Sequence, residues 1–363
     1  MGGKHRSTGL TRLIGRTSLI GTVAGALILT ACGGSSNSGG QSGGALTWET
    51  TGGDATKYES AAFQAPFTEK TGVKFNNVTS LSYISQLQTM VQSHKTVWDV
   101  VHTGSYLAKF YCGKLFEKVD TSKMPANLVP KGTVTDCSVP AVKYGTAFAY
   151  DTSAYKDKVP TKIGDFFDTK TFPGKRVVYA NSPMGILEAA LVADGVAPDK
   201  LYPLDVDRAL KKLGTIKSSL IFAPSFTAVQ QDLVNKQATM TITLTGRLSI
   251  INDSGAHLAP VWDFTSWDYD SFVVPMGSKH KDDAEKVIAF GLEPAQLTDY
   301  AQQSGLTPVR SDINPSTIKF TPSGKEFNPF VGSGRGTVTL RDPAYWADNF
   351  IAVTKKWVAW QVG

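Results

Sequence analysis

The chain has 363 residues and a formal net charge of +6. Four of its basic residues, Lys4, Arg6, Arg12 and Arg16, fall in the first sixteen positions, leaving 33 Lys+Arg of the 37 against 31 Asp+Glu. A body this close to neutral offers no basic stripe for phosphates, which argues against nucleic acid as a partner. The apolar stretch SLIGTVAGALILTA, residues 18–31, follows that basic start and ends in small residues. It is too short to cross a bilayer core of about 30 Å as a stable helix, so the first 31 residues read as a secretory signal.

Next comes LTACGGSSNSGGQSGG, residues 29–44. Leu29-Thr30-Ala31-Cys32 resembles the lipobox of bacterial lipoproteins, which implies a diacylglycerol on the Cys32 thiol and cleavage just before it. The competing reading is a chance cysteine in an ordinary secretory signal. Gly and Ser bury little and lose much entropy on ordering, so residues 32–44 are expected to be a flexible tether reaching about 20 Å. The body that follows is then extracytoplasmic, monomeric and held to the cell membrane by lipid.

From residue 45 to 363 there is too much chain for one small core and about enough for two lobes. ALTWET (45–50) reads as a strand, and KYESAAFQAPFTEKTG (57–72) as a helix stopped by Gly72. VKFNNVT (73–79) is strand-like, ISQLQTMVQSHK (84–95) helical, WDVVHTG (98–104) a buried strand, and SYLAKFYCGKLF (105–116) a helix beginning at Ser105. This β/α alternation predicts a mainly parallel sheet covered on both faces. Cys112 and Cys137 lie 25 residues apart in an oxidising compartment, so a disulfide is expected, with two buried free thiols as the alternative.

A second alternating run starts near residue 150. KRVVYAN (175–181) reads as a strand, and Ser182-Pro183 as the N-cap and first residue of a helix ending before Gly195. DVDRALKKLGTIK (205–217) is helical, LIFAP (220–224) a short strand, and SFTAVQQDLVNKQ (225–237) a helix. ATMTITLTG (238–246) alternates as a strand, FVVP (272–275) is another buried strand, and 281–305 carries one or two helices. WADNFIAVTKKWVAW (346–360) puts Trp346, Phe350, Val353 and Trp357 on one helical face, as core packing.

Catalytic and metal signatures are missing. The five histidines show no HxxxH spacing, there is no CxxC pair, and no GxSxG elbow, Walker loop or dinucleotide fingerprint follows a strand. No cofactor, metal or catalytic residue is expected, although a Ser–His–Asp set assembled from distant positions would leave no such signature.

The residues also carry a family resemblance. GGDATKYESAAFQAPFTEKTGVKF (52–75) and WDVVHTGSYLAKFYCGKLFEKVD (98–120) resemble segments of bacterial ABC-transporter solute-binding proteins. FFDTKTFPGKRVV (166–178), LEAALVADGVAPDKLYPLDVDRALKKL (187–213), the GR at 246–247 and VVPMGSKHKDDAEKVIAF (273–290) resemble the polyamine (spermidine/putrescine)-binding branch in particular. The resemblance implies an α/β type II periplasmic-binding-protein fold, two lobes joined by hinge strands around a ligand cleft. Lobe 1 would comprise 45–148 with 274–320, and lobe 2 would comprise 149–273 with 321–363. It also implies an ABC permease as partner and a small-molecule ligand.

Carried over residue by residue, the polyamine site is incomplete. The aromatic after the DVV strand is present as Tyr106 and the acid before FVVP as Asp270. Two acids at the strand-to-helix turn are replaced by Ser182 and Gly185, and a tryptophan by Leu244. The turn at 182–185 then reads as a helix N-terminus free to meet an anion. Arg247 is placed to take a carboxylate in two hydrogen bonds, and Asp270 to take an ammonium. Relatives that bind γ-aminobutyrate-like ω-amino acids use an arginine and an aspartate from these segments in those roles. Tyr106 and Trp267 would pack the methylenes, Thr51 and Gly52 would face the cleft, and Glu49 would meet a second amine on a polycation. The plain alternatives are an Arg247 tied into a structural ion pair and an Asp270 that caps a turn. At the level of function, the alternatives are another small organic or anionic solute, a sensor role, or a two-lobed extracellular enzyme.

Overall fold

The computed structural model describes residues 44–50, 52, 54–80 and 82–363. The signal, Cys32, all but the last residue of the tether, and Thr51 lie outside the described residues.

The first block opens with β1 (Leu46–Thr50), α1 (Asp54–Glu59), one π-helical turn (Ser60–Gln64) and α2 (Ala65–Thr71). Gly72 stops that run in a left-handed conformation, φ 81°, where a side chain would be strained. β2 (Phe75–Thr79), α3 (Tyr83–Gln92), β3 (Val100–Gly104) and α4 (Ser105–Phe110) follow. α4 is half the length expected, because the chain turns at Tyr111 into a segment pinned by the Cys112–Cys137 disulfide, whose Cα atoms are 5.5 Å apart.

β4 (Pro140–Asp151) leads into β5 (Arg176–Tyr179), α5 (Ile186–Ala193), α6 (Val206–Gly214), β6 (Leu220–Ala223), α7 (Phe226–Val234), β7 (Met240–Leu244) and α8 (Thr245–Asp253). β8 (Leu258–Val273) is the longest strand of the described residues, and only Phe272 and Val273 of FVVP belong to it, at its end. After it come α9 (Lys281–Gly291), α10 (Pro294–Ser304), β9 (Thr307–Pro308), α11 (Pro322–Glu326), β10 (Thr337–Leu340) and α12 (Pro343–Val362).

All ten strands join one sheet with the path β2-β1-β3-β8-β4-β7-β5-β6, while β9 adds to β4 and β10 to β8. Two parallel blocks, β2-β1-β3 and β7-β5-β6, flank a central antiparallel pair, β8 and β4. β8 pairs with β3 through Asp270–Val273 and with the far end of β4 through Leu258–Val261, so these two strands are common to both blocks. The lobe boundaries drawn at 148/149 and 273/274 fall inside β4 and at the end of β8.

Separate cores lie beneath the two blocks. Trp48, Phe63, Phe272 and Tyr300 interlock in one, with ring centroids 4.9–6.3 Å apart. The other gathers Phe148, Phe166 and Leu187, and α12 closes it by inserting Trp346, Val353 and Trp357. The aromatic stripe of the last helix is core, as its spacing predicts.

Candidate functional site

A cavity of about 180 Å³ opens where the two parallel blocks meet the central strands. That is below the roughly 300–1,000 Å³ typical of drug-sized ligands and suits a small solute. Its aromatic walls are Tyr106 of α4, Tyr144 of β4, Tyr179 of β5 and Phe226 of α7. Val178, Met184, Ile186, Ile242 and Leu244 add aliphatic surface, and Thr146, Ser182, Thr243, Asp268 and Arg341 add polar groups.

Strand register places the charged pair. β10 runs parallel to β8 with Leu340 beside Trp267, and the Arg341 N–H donates to the Trp267 carbonyl at 2.9 Å. This sets Arg341 beside Asp268, with Nη2 3.3 Å from Oδ2, while Nη1 donates to Thr146 Oγ1 at 3.3 Å. Both side chains are buried, and the Arg341 Nε–H has no partner. Asp268 also accepts from Ser105 Oγ at 2.5 Å and from the Tyr269 N–H at 2.8 Å. Burial raises its pKa to about 6, against the pull of Arg341.

The period of a strand puts Asp270 on the same face as Asp268. Its Oδ1 accepts from the Tyr144 hydroxyl at 3.2 Å, and its Oδ2 lies 3.2 Å from His102 Nε2. The Asp270 side chain remains 19% exposed, so it is reachable by a ligand. Across the cavity, Phe226 stacks on Tyr179 with centroids 4.4 Å apart, and the Arg247 guanidinium lies 5.0 Å over the Phe226 ring. Among the described residues Arg247 makes no ion pair, and its side chain is exposed, so it is reachable by a ligand.

The profile of the bacterial extracellular solute-binding proteins matches residues 62–324. The chain belongs to this family. A curated relative, the gamma-aminobutyric acid-binding protein of Pseudomonas aeruginosa, is 28% identical over 326 residues, which is 87% of this chain and 90% of that one. The spermidine/putrescine-binding periplasmic protein of Salmonella typhimurium is 24% identical over 69% of this chain and 74% of that one. Among solved structures, a GABA receptor superposes with a TM-score of 0.78 at 33% identity, covering 88% of this chain and 98% of that one. An ABC transporter substrate-binding protein from Bradyrhizobium japonicum gives 0.79 at 29% identity, covering 87% and 98%. The fold is the two-lobed α/β architecture of periplasmic binding proteins, and these relatives are solute-binding proteins rather than enzymes.

Of the site residues read from the sequence of this solute-binding protein, Tyr106 and Ser182 line the cavity. Asp270 reaches its wall through Tyr144, and Arg247 through Phe226. Trp267 faces away, edge-on to Phe330 at 5.9 Å and under the Lys143 ammonium. Gly52, φ 82°, packs against Thr79, and its N–H donates to Thr50 Oγ1. Glu49 is 1% exposed and neither carboxylate oxygen has a hydrogen-bond partner of good geometry. Burial raises its pKa to about 8, with the Ser80 amide and the His102 charge pulling the other way.

The expected anion site at Ser182–Gly185 needs correction. The helix begins three residues later, at Ile186, and Glu188 Oε2 already accepts the Gly185 N–H at 2.7 Å. Gly185 instead serves packing: at φ 84° a Cβ there would sit 2.5 Å from Thr146 Cγ2. Tyr144, Asp268, Phe226 and Arg341 are the residues missed from sequence. The alternation in WDYDSF carries a signal for Asp268, one strand period from Asp270. Arg341 has none, since only the β10–β8 pairing brings it there.

Proposed function

We propose that this chain captures a small zwitterionic amine of the γ-aminobutyrate kind between its lobes and delivers it to an ABC permease. The ligand carboxylate meets Arg247, its ammonium meets Asp270, and Tyr106, Tyr179 and Phe226 pack the methylenes between. The observation that carries this reading is the charge layout. Asp268 and Arg341 neutralise each other, which leaves one unpaired guanidinium on Phe226 and one partly exposed carboxylate on Tyr144. The relatives named for γ-aminobutyrate support it. The membrane anchor is the lipid expected on Cys32, which lets the body act next to the permease.

A polycation fits less well. Arg341 lines the cavity and Arg247 stands behind its Phe226 wall, and Glu49, held protonated by burial near neutral pH, supplies no charge for a second amine. Calorimetry of the purified protein with γ-aminobutyrate and with spermidine separates the two. Tighter γ-aminobutyrate binding is expected, and tighter spermidine binding would overturn the zwitterion reading.

A further inference from the structure

Behind Asp270 a buried line of polar side chains runs from the first core to the cavity. Trp48 Nε1 donates to Glu59 Oε2 at 2.8 Å, and Glu59 Oε1 lies 2.6 Å from His102 Nδ1. On the other side of the ring, His102 Nε2 stands 3.2 Å from Asp270 Oδ2, an ion-pair distance rather than an aligned hydrogen bond. Glu59 and Trp48 are 0% exposed and His102 is 6% exposed. Both oxygens of Glu59 are therefore occupied, one by an indole N–H and one by the imidazole.

This arrangement constrains the proton count. A proton lies between Nδ1 and Glu59 Oε1 at that distance, and with Glu59 as a carboxylate it rests on Nδ1. A neutral ring would then turn the Nε2 lone pair toward an Asp270 oxygen, which is repulsive in a dry site. A doubly protonated ring removes the conflict. The other titratable groups coupled to this line are Glu49 from β1, which interacts with His102, and Tyr300 from α10, which interacts with Glu59. Tyr83 from α3, Tyr144 from β4 and Asp268 from β8 interact with Asp270, and Asp268 is held beside Arg341. None of the tyrosines is charged near neutral pH, since burial raises each of them, and Glu49 keeps its proton to about pH 8. Burial works against a charged His102, but the Glu59 charge and the contacts with Asp270 outweigh it and hold its pKa well above the ordinary value.

We propose that His102 is a positioning residue for the ligand: as an imidazolium clamped between Glu59 and Asp270, it keeps Asp270 turned so that its free edge faces the cavity. The proposal rests on the reading of Asp270 as the amine anchor. One cation between two carboxylates leaves a net charge of minus one, which the ligand ammonium neutralises. Without the imidazolium, two carboxylates face one buried gap and the Asp270 side chain loses the contact that orients it.

Two measurements test this. Histidine-labelled ligand-free protein, followed by 15N NMR, is expected to show His102 protonated on both nitrogens at pH 7.5, whereas a neutral ring at that pH would overturn the proposal. The signal is assigned with His102→Gln. Should that variant not fold, Glu59→Gln serves instead, and its imidazolium should be lost at lower pH. Calorimetry with γ-aminobutyrate as probe then reads the positioning role. His102→Gln is expected to weaken binding roughly 10–100-fold at pH 6, with the deficit shrinking toward pH 8. An equal deficit at every pH would mean a merely structural role. If wild-type protein does not bind γ-aminobutyrate, it is the solute reading that falls, and the NMR result still decides the charge of His102.

Discussion

Three arginines of this protein show how the same side chain is spent in different ways. Arg176 is fully buried, makes no ion pair among the described residues, and its guanidinium donates to the carbonyls of Phe166, Gly174, Phe172 and Asp168. It is structural. Arg341 is tied to Asp268 and Thr146 with its Nε unpartnered, and among the described residues Arg247 is placed only over the face of Phe226. Of the three, only Arg247 is exposed, which is why the proposed reading gives it the ligand carboxylate. Glu49 is the opposite case, an acid buried with no well-formed hydrogen bond to either oxygen among the described residues. Its folded pKa of about 8 lies above the ordinary 4.5, so the native state holds a proton that the unfolded chain releases. Stability therefore falls as pH rises through that window. Glu49→Gln should remove this slope and gain roughly 1–3 kcal/mol at pH 8 with little change at pH 4.5, read by urea denaturation at the two pH values. The decline above pH 6.5 that comes from His102 should remain in the variant. A Glu49→Gln protein less stable than wild type at pH 8 would contradict this account.

At the scale of elements, the last helix is the clearest case of sequence carrying structure. Trp346, Val353 and Trp357 recur at helical spacing, and all three enter the second core. Trp357 also donates from Nε1 to the Ala180 carbonyl at 2.7 Å and meets Phe222 edge-on. Trp357→Ala is expected to cost about 3–5 kcal/mol in urea unfolding, whereas a loss below about 1 kcal/mol would show that α12 docks without it. Where local pattern and burial agree, as in β1, β3, α6 and α7, the elements were legible. They were least legible around the cavity. β4 carries Gly145 and Lys143 within an apolar stretch and does not read as a strand, yet it pairs along nearly its whole length with β8. Ser182-Pro183 looks like a helix start, but Glu188 caps the chain at Gly185, and a side chain three residues downstream decides where the turns begin. Asp270 and Tyr106 could be found because they sit in short motifs on either side of a strand. Arg341 could not, because its place depends on a parallel pairing between segments about 70 residues apart in the sequence.

Over the whole molecule, the two parallel blocks meet at a shared antiparallel pair, so side chains from both converge on one small space. α4 from the first block and α12 from the second also touch there, with Tyr106 and Phe350 ring centroids 4.5 Å apart. A solute held in this seam contacts both lobes at once, which couples its capture to their relative position. Two-ended recognition is the core of the account. On the proposed reading Arg247 and Asp270 would each supply a charge-assisted contact, and loss of either end of the ligand should cost roughly 10–100-fold in affinity. The decisive measurement is parallel calorimetry with γ-aminobutyrate, butyrate and butylamine, which share a four-carbon chain but carry both charges or only one. The account predicts that γ-aminobutyrate binds at least about tenfold more tightly than either single-ended analogue. Equal binding of butylamine or butyrate would contradict it.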